Sequence, residues 1–224
     1  MPHQDRAAIL TALESQGVVP VFYHADPEVC LNVIRAAARG GARAIEFTNR
    51  GDFACDLFGE VARELSRTDP NIILGIGSVV EAGTASLYLN RAARFVVSPC
   101  LVPEVAKVCN RRLVPYFPGC GSVSEIGQAH ELGCDLVKLF PGASVGGPDF
   151  VKAVMGPMPW AKIMPTGGVD PDAGSIAKWF GAGIVACGMG SKLITDNAVT
   201  AGDWAGIEAS VRQAVDAVAT YRRG

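Results

Sequence analysis

The sequence predicts a (β/α)8 barrel, an α/β fold, on three observations. Eight short apolar runs recur at regular spacing, a stretch of helical periodicity follows each, and no linker or shift of composition interrupts the alternation. The runs are GVVPVFY (17–23), AIEFT (44–48), IILGIGS (72–78), RFVVS (94–98), LVPYFPG (113–119), DLVKLFP (135–141), AKIMPTGG (161–168) and IVACGMGS (184–191). A doubly wound sheet is the alternative that the same alternation allows.

The helices between the runs announce themselves at their ends. Asp26 and Pro27 open a helix through EVCLNVIRAAAR, and Gly40-Gly41 closes it, as glycines do at C-termini. Ser122 with Glu125 three residues later has the capping-box spacing, and Gly133 ends that helix. Trp204, Ile207, Val211 and Val215 recur every three to four residues, which predicts a closing amphipathic helix over about 203–220 with a solvated charged tail. The reading is therefore one domain over 1–224, with its core at about 17–195.

Composition narrows the function. With 224 residues, 49% of them hydrophobic, 26 glycines and 14 prolines, the chain is that of a tightly turned globular protein with a real core. A net charge of −2 supplies no basic field for nucleic acid. The opening MPHQDRAAIL lacks the basic region, apolar core and cleavage site of a leader, and no apolar run approaches the roughly 18 residues of a membrane span. A cytoplasmic protein is expected. Seven cysteines without a C-x-x-C pair signal neither a disulfide framework nor a zinc site, and most read as small buried apolar residues. His3, His24 and His130 are too scattered for a metal centre and read as solvated or satisfied side chains. No metal and no organic cofactor is expected.

The informative residues are polar ones on strands. Side chains of a barrel strand alternate between interior and helix layer, and chemistry gathers at the C-terminal ends of the strands. In DLVKLF, Val137 and Leu139 belong outside, so Leu136, Lys138 and Phe140 point inward. In AIEFTNR, Ile45 and Phe47 pack outward, leaving Ala44, Glu46 and Thr48 inside and Arg50 just beyond the strand top. Of the six lysines, Lys138 alone lies mid-strand between apolar neighbours. Two readings fit a lysine and a glutamate facing one interior. One is a buried ion pair that fixes register. The other is a desolvated amine able to attack a carbonyl, with Glu46 moving protons.

Two further features suit an anionic substrate. Arg50 has the forked donors that hold a carboxylate, or it makes a surface ion pair. The seventh and eighth runs end in PTGGV and CGMGS, where Gly167, Gly168, Gly190 and Ser191 offer backbone N–H groups to a phosphate or serve only as tight turns.

The segments AIEFTNR, GIGSV, VVSP, VPYFPG, VKLFPG and MPTGGV resemble, in order and spacing, the 2-keto-3-deoxy-6-phosphogluconate (KDPG) and 4-hydroxy-2-oxoglutarate (KHG) aldolases, over roughly residues 15–195. The resemblance implies a class I, metal-independent lyase that cleaves a small-molecule 2-keto-4-hydroxy acid to pyruvate and an aldehyde, and a homotrimer. It implies Lys138 as the Schiff-base lysine, Glu46 as general acid and base, and Arg50 as the clamp on the pyruvate carboxylate. It places Thr48, Ser78, Pro99, Phe140 and Thr166 around the substrate, with Gly167, Gly168, Gly190 and Ser191 on the phosphate.

This chain departs from the family pattern in several places. It has GIGS where GAGT is usual, Met189-Gly190 where two glycines are usual, and Lys192 where a tryptophan often follows the serine. LFPGA also lacks the acidic residue that many members carry. These departures leave the chemistry intact and bear on the acceptor aldehyde. Two rivals remain at this stage: a phosphosugar isomerase or epimerase barrel, which needs no interior lysine, and a non-catalytic metabolite-binding barrel, which would form no covalent adduct.

Overall fold

The computed structural model describes residues 5–223, so His3 lies outside the described residues. Among the described residues nine strands run in chain order: β1 (Val18–Phe22), β2 (Ala44–Thr48), β3 (Ile73–Gly77), β4 (Val96–Val97), β5 (Tyr116–Phe117), β6 (Gly119–Cys120), β7 (Val137–Leu139), β8 (Ile163–Pro165) and β9 (Cys187–Met189). β5 and β6 flank Pro118 and form one stave. Proline has no N–H to give to a ladder, which interrupts the fifth strand at that residue. Pairing is parallel throughout, in the orders β5-β4-β3-β2-β1-β9 and β6-β7-β8. A parallel bridge between Thr166 and Gly188 joins the tops of the β8 and β9 staves and closes the ring. The expected eight-stave barrel is the fold, with every predicted run supplying one stave.

The helices are α1 (Arg6–Gln16), α2 (Pro27–Arg39), α3 (Ala54–Thr68), α4 (Ala82–Asn90), α5 (Pro103–Arg111), α6 (Val123–Glu131), α7 (Gly147–Met155), α8 (Ala173–Gly181), α9 (Asp196–Ala201) and α10 (Trp204–Arg223). Strand parity divides the apolar residues as expected. Ile45, Phe47, Val137 and Leu139 join the layer between strands and helices. Val19, Ala44, Ile73, Phe95, Phe117, Leu136 and Met164 fill the lower interior.

The sequence reading assigned no element to residues 1–16, yet α1 closes the bottom of the barrel. Its Ile9 and Leu13 pack into the interior cluster. Gln16, buried at the end of this plug, donates from Nε2 to the carbonyls of Val18 and Ala44 at 2.8 and 2.7 Å. Its Oε1 accepts from the N–H groups of Arg43 and Ala44 at 2.9 and 2.8 Å. One amide thus satisfies four backbone groups at the foot of β1 and β2, which would be expensive to leave unpaired in an apolar setting.

Helix ends follow their signals with local corrections. Asp26 caps α2 by accepting from the N–H groups of Glu28 and Val29. Of the two glycines beyond α2, only Gly41 is left-handed, with φ 104°. Gly40 is helical, and its lack of a side chain serves packing: a Cβ there would lie 2.7 Å from both the Glu208 carbonyl oxygen and the Val211 Cβ on α10. Ser122 caps α6 as expected, but Glu125 reaches past the cap residue to the Gly121 N–H at 2.8 Å.

In α10 the buried stripe is Ile207, Val211, Ala214 and Val218, with Val215 only half-buried at its edge. The charged tail is not simply solvated. Arg222 stacks on the Phe180 ring and donates to the carbonyls of Ser15 and Val185 at 2.9 and 2.8 Å, tying the last helix to the barrel foot.

Candidate active site

The interior changes character toward the C-terminal ends of the strands. Above the apolar layer, Glu46 on β2 and Lys138 on β7 face each other across the lumen, 1% and 6% exposed. Their nearest charged atoms, Lys138 Nζ and Glu46 Oε1, are 3.9 Å apart, close enough to feel each other's charge and too far to share a hydrogen bond. Neither carboxyl oxygen of Glu46 has a hydrogen-bond partner among the described residues. Burial raises the pKa of Glu46 above 4.5, and the opposing pull of the Lys138 and Arg50 charges does not cancel it. Lys138 Nζ also lies 4.9 Å from the centroid of the Phe140 ring, its neighbour on the same strand face.

Room for this pair is made by glycines. β3 turns Ile73, Gly75 and Gly77 inward. A Cβ on Gly77 would come within 1.8 Å of Glu46 Oε1, and one on Gly75 within 2.2 Å of the Phe95 ring. The GIG of GIGSV therefore has a steric cause: the first glycine admits a ring and the second a carboxyl.

A cavity of about 570 Å³ opens at the strand tops between β2, β1, β9 and β8. Thr48, Arg50, Phe140, Thr166, Gly167, Gly168, Gly190 and Ser191 line it. Lys138 and Glu46 are not in its lining; Phe140, whose ring centroid lies 4.9 Å from Lys138 Nζ, is. Ser78 and Pro99 also lie outside that lining, at the tops of β3 and β4, and Ser78 is left-handed with φ 60°. Thr48 donates to the Phe22 carbonyl at 3.3 Å. Thr166 Oγ1 is buried without a partner among the described residues, in a niche that exists because a Cβ at Gly188 would stand 2.4 Å from it.

The glycine turn after β8 is fixed from two sides. Gly142 and Ala143 donate to the carbonyls of Thr166 and Gly167 at 2.9 and 3.1 Å, and Trp179 Nε1 on α8 donates to the Gly168 carbonyl at 3.2 Å. Gly168 sits at φ 84°, where a Cβ would meet that of Ala143 at 2.2 Å. Among the described residues, no protein acceptor takes the N–H of Gly167, Gly168, Gly190 or Ser191. These amides are available to an anion.

A family model for KDPG and KHG aldolase matches residues 9–210. The chain belongs to this family. As an aldolase, a carbon–carbon lyase, it is 33% identical over 202 residues to the 2-dehydro-3-deoxy-phosphogluconate aldolase of Pseudoalteromonas atlantica, covering 90% of this chain and 91% of that one. It is 30% identical to the KHG/KDPG aldolase of Escherichia coli, covering 89% and 91%. Among solved structures, a KDPG aldolase from Legionella pneumophila, with pyruvate captured as a covalent carbinolamine, superimposes with a TM-score of 0.82 at 27% identity, covering 93% and 97%.

The aldolase places residues on its cavity that the sequence reading passed over. Tyr23 and His24, at the end of β1, line it, as do Asp196, Val199 and Thr200 of α9. His24 Nδ1 accepts the Asp26 N–H at 3.1 Å, so one ring nitrogen is satisfied, as expected, while the ring also walls the site. The usable signal was position: a polar residue just past a barrel strand belongs to the mouth whatever its type. Burial pushes the thiols of Cys30, Cys109, Cys120, Cys134 and Cys187 up to about 12, in keeping with small apolar residues. Among the described residues, no cluster of His, Cys, Asp and Glu could hold a metal ion, and no helix is long and apolar enough to cross a membrane.

Proposed function

We propose that the chain is a class I aldolase acting on 2-keto-3-deoxy-6-phosphogluconate, 4-hydroxy-2-oxoglutarate or both, with Lys138 as nucleophile and Glu46 as proton carrier. The observation that carries this reading is the buried Glu46 carboxyl, which has no hydrogen-bond partner among the described residues and faces the Lys138 amine at 3.9 Å. A pair built for stability would close to hydrogen-bond distance and satisfy its remaining oxygens. This one leaves both carboxyl oxygens open to bond a substrate atom that the amine has captured.

The Lys138 amine adds to the C2 ketone, forming a C–N bond as the carbonyl oxygen takes up a proton. Water leaves to give an iminium. Glu46 removes the proton of the C4 hydroxyl; the C3–C4 bond breaks, its electron pair moves into the iminium, and the aldehyde departs. Glu46 returns its proton to C3 of the enamine, and water releases pyruvate and the free amine. A carboxyl whose pKa is raised by burial suits both halves of that exchange. Arg50 on the rim holds the C1 carboxylate, and Thr166 Oγ1, lacking a protein partner, takes a substrate oxygen. Ser78 and Pro99 bound the substrate from the β3 and β4 side, and the free amides of Gly167, Gly168, Gly190 and Ser191 receive a phosphate.

The reading includes a one-domain, cytoplasmic homotrimer. Family resemblance supports the trimer, together with Phe53 and Val80, apolar and exposed just past the tops of β2 and β3. Sedimentation velocity giving three times the chain mass is the expected result, and a monomer removes the trimer from the reading.

Borohydride reduction in the presence of pyruvate, followed by peptide mass analysis, tests the mechanism. The expected adduct is on the peptide holding Lys138, and it disappears in a folded Lys138→Ala variant. An adduct on another lysine, or none, overturns the assignment.

A further inference from the structure

Lys192 stands on the turn after β9, and its ammonium pairs with the Asp170 carboxylate on the turn after β8. The two side chains are 60% and 43% exposed, and so open a pair contributes little to stability. Its meaning lies in its position. Arg50 and Lys192 are the two lining residues of the cavity with a full positive charge. They rise from β2 and β9, the two neighbours of β1. At a strand spacing of about 4.8 Å, those stave tops stand about 10 Å apart. A cavity with a cation on either side of β1 suits a short chain that carries an anion at each end.

The Lys192 side also holds the unpaired amides of the two glycine turns. A phosphate monoester presents three terminal oxygens and nearly two negative charges, and so matches donors converging from two turns and one ammonium. Asp170 is itself held: its N–H donates to Ser175 Oγ at 3.0 Å, and Ser175 N–H donates to the cap residue Asp172 at 2.9 Å. The start of α8 thus anchors the backbone of the turn that carries Asp170, the partner of Lys192.

Resting on the aldolase reading above, we propose that Lys192 is a specificity residue that binds a terminal phosphate monoester on the aldehyde half of the substrate, with Asp170 as its positioning residue. The pair bridges the two turns that the phosphate would span, so selectivity sits in a contact far from the reacting carbons.

The test measures kcat and KM of the full chain on a phosphorylated 2-keto-3-deoxy acid and on the same acid without its phosphate. Lys192→Met is expected to lower the ratio of kcat/KM for the two acids about tenfold, the size of one good charge contact, with the change in KM rather than kcat. Lys192→Arg restores most of the ratio, and Asp170→Asn lowers it by less than Lys192→Met does. Inorganic phosphate should compete with the phosphorylated acid, and more weakly in Lys192→Met. A ratio in Lys192→Met within about twofold of wild type overturns the assignment. Pyruvate capture at Lys138 in the wild type separates the two claims. Capture with an unmoved ratio removes Lys192 alone, and absence of capture removes the aldolase reading beneath it.

Discussion

Gln16 and Glu46 are both buried polar side chains in one barrel interior, near opposite ends, and they are treated in opposite ways. The Gln16 amide makes four hydrogen bonds to backbone at the foot of β1 and β2. The Glu46 carboxyl makes none among the described residues and stands 3.9 Å from an amine it does not bond. A polar group buried for architecture is saturated by the protein, because each orphaned partner weakens the fold. Glu46 keeps its bonding capacity open, as the proposed proton carrier requires. Satisfaction, rather than burial, separates the two ends.

The sharpest way to break this contrast is Glu46→Gln. If the open carboxyl is the proton carrier, kcat falls by about two to four powers of ten, the span of general acid–base groups. The circular dichroism spectrum should not change, since no protein hydrogen bond is lost. Turnover close to wild type would return Glu46 to a structural role and end the comparison.

Gln16→Leu probes the other end and should leave turnover per folded molecule unchanged. It strips partners from the carbonyls of Val18 and Ala44 and the N–H groups of Arg43 and Ala44. With orphaned groups at about 1–3 kcal/mol each, some reached by water, the expected loss is roughly 2–4 kcal/mol of unfolding free energy by urea titration. A loss below about 0.5 kcal/mol would mean that water replaces the amide there.

How much of this contrast could be read from the sequence differs between the ends. Lys138 and Glu46 were legible because strand parity converts a polar residue among apolar neighbours into an inward one. Arg50 and the glycine turns followed from standing at strand tops. α1 was not legible as a plug: its apolar positions are few, and Ile9 and Leu13 are buried by the barrel they close rather than by a stripe of their own. Gln16 was missed for the same reason, since its partners lie on β1 and the β2 segment, 28 residues distant at the farthest. The cavity wall from α9 was missed because a six-residue helix with no buried residue carries no periodic signal.

Gly77→Ala sharpens the comparison at smaller scale. Its Cβ would lie 1.8 Å from Glu46 Oε1, so either the carboxyl or β3 must move. Overpacking of this kind costs about 1–3 kcal/mol, and kcat should fall because the displaced acid no longer faces Lys138. If Gly77→Ala keeps both stability and kcat, the carboxyl is free to swing and its observed position does not matter.

The smallest effect is in the pH dependence of stability, and its sign is informative. Burial raises the Glu46 pKa above its ordinary 4.5, more than the Lys138 and Arg50 charges lower it. The folded state therefore holds that proton more tightly than the unfolded state does. Its contribution to stability is fully present below 4.5 and is lost as pH rises through the folded value. In urea unfolding from about pH 5 to about pH 8, the stability of wild type relative to Glu46→Gln should decline with rising pH, by at most about 1.4 kcal/mol per pH unit for one proton. Gln16→Leu carries the wild-type carboxyl and should show the wild-type slope beneath its uniform deficit. A relative stability that instead rises with pH would mean that the Lys138 and Arg50 charges outweigh burial, making Glu46 a held ion-pair partner rather than an acid kept open for substrate.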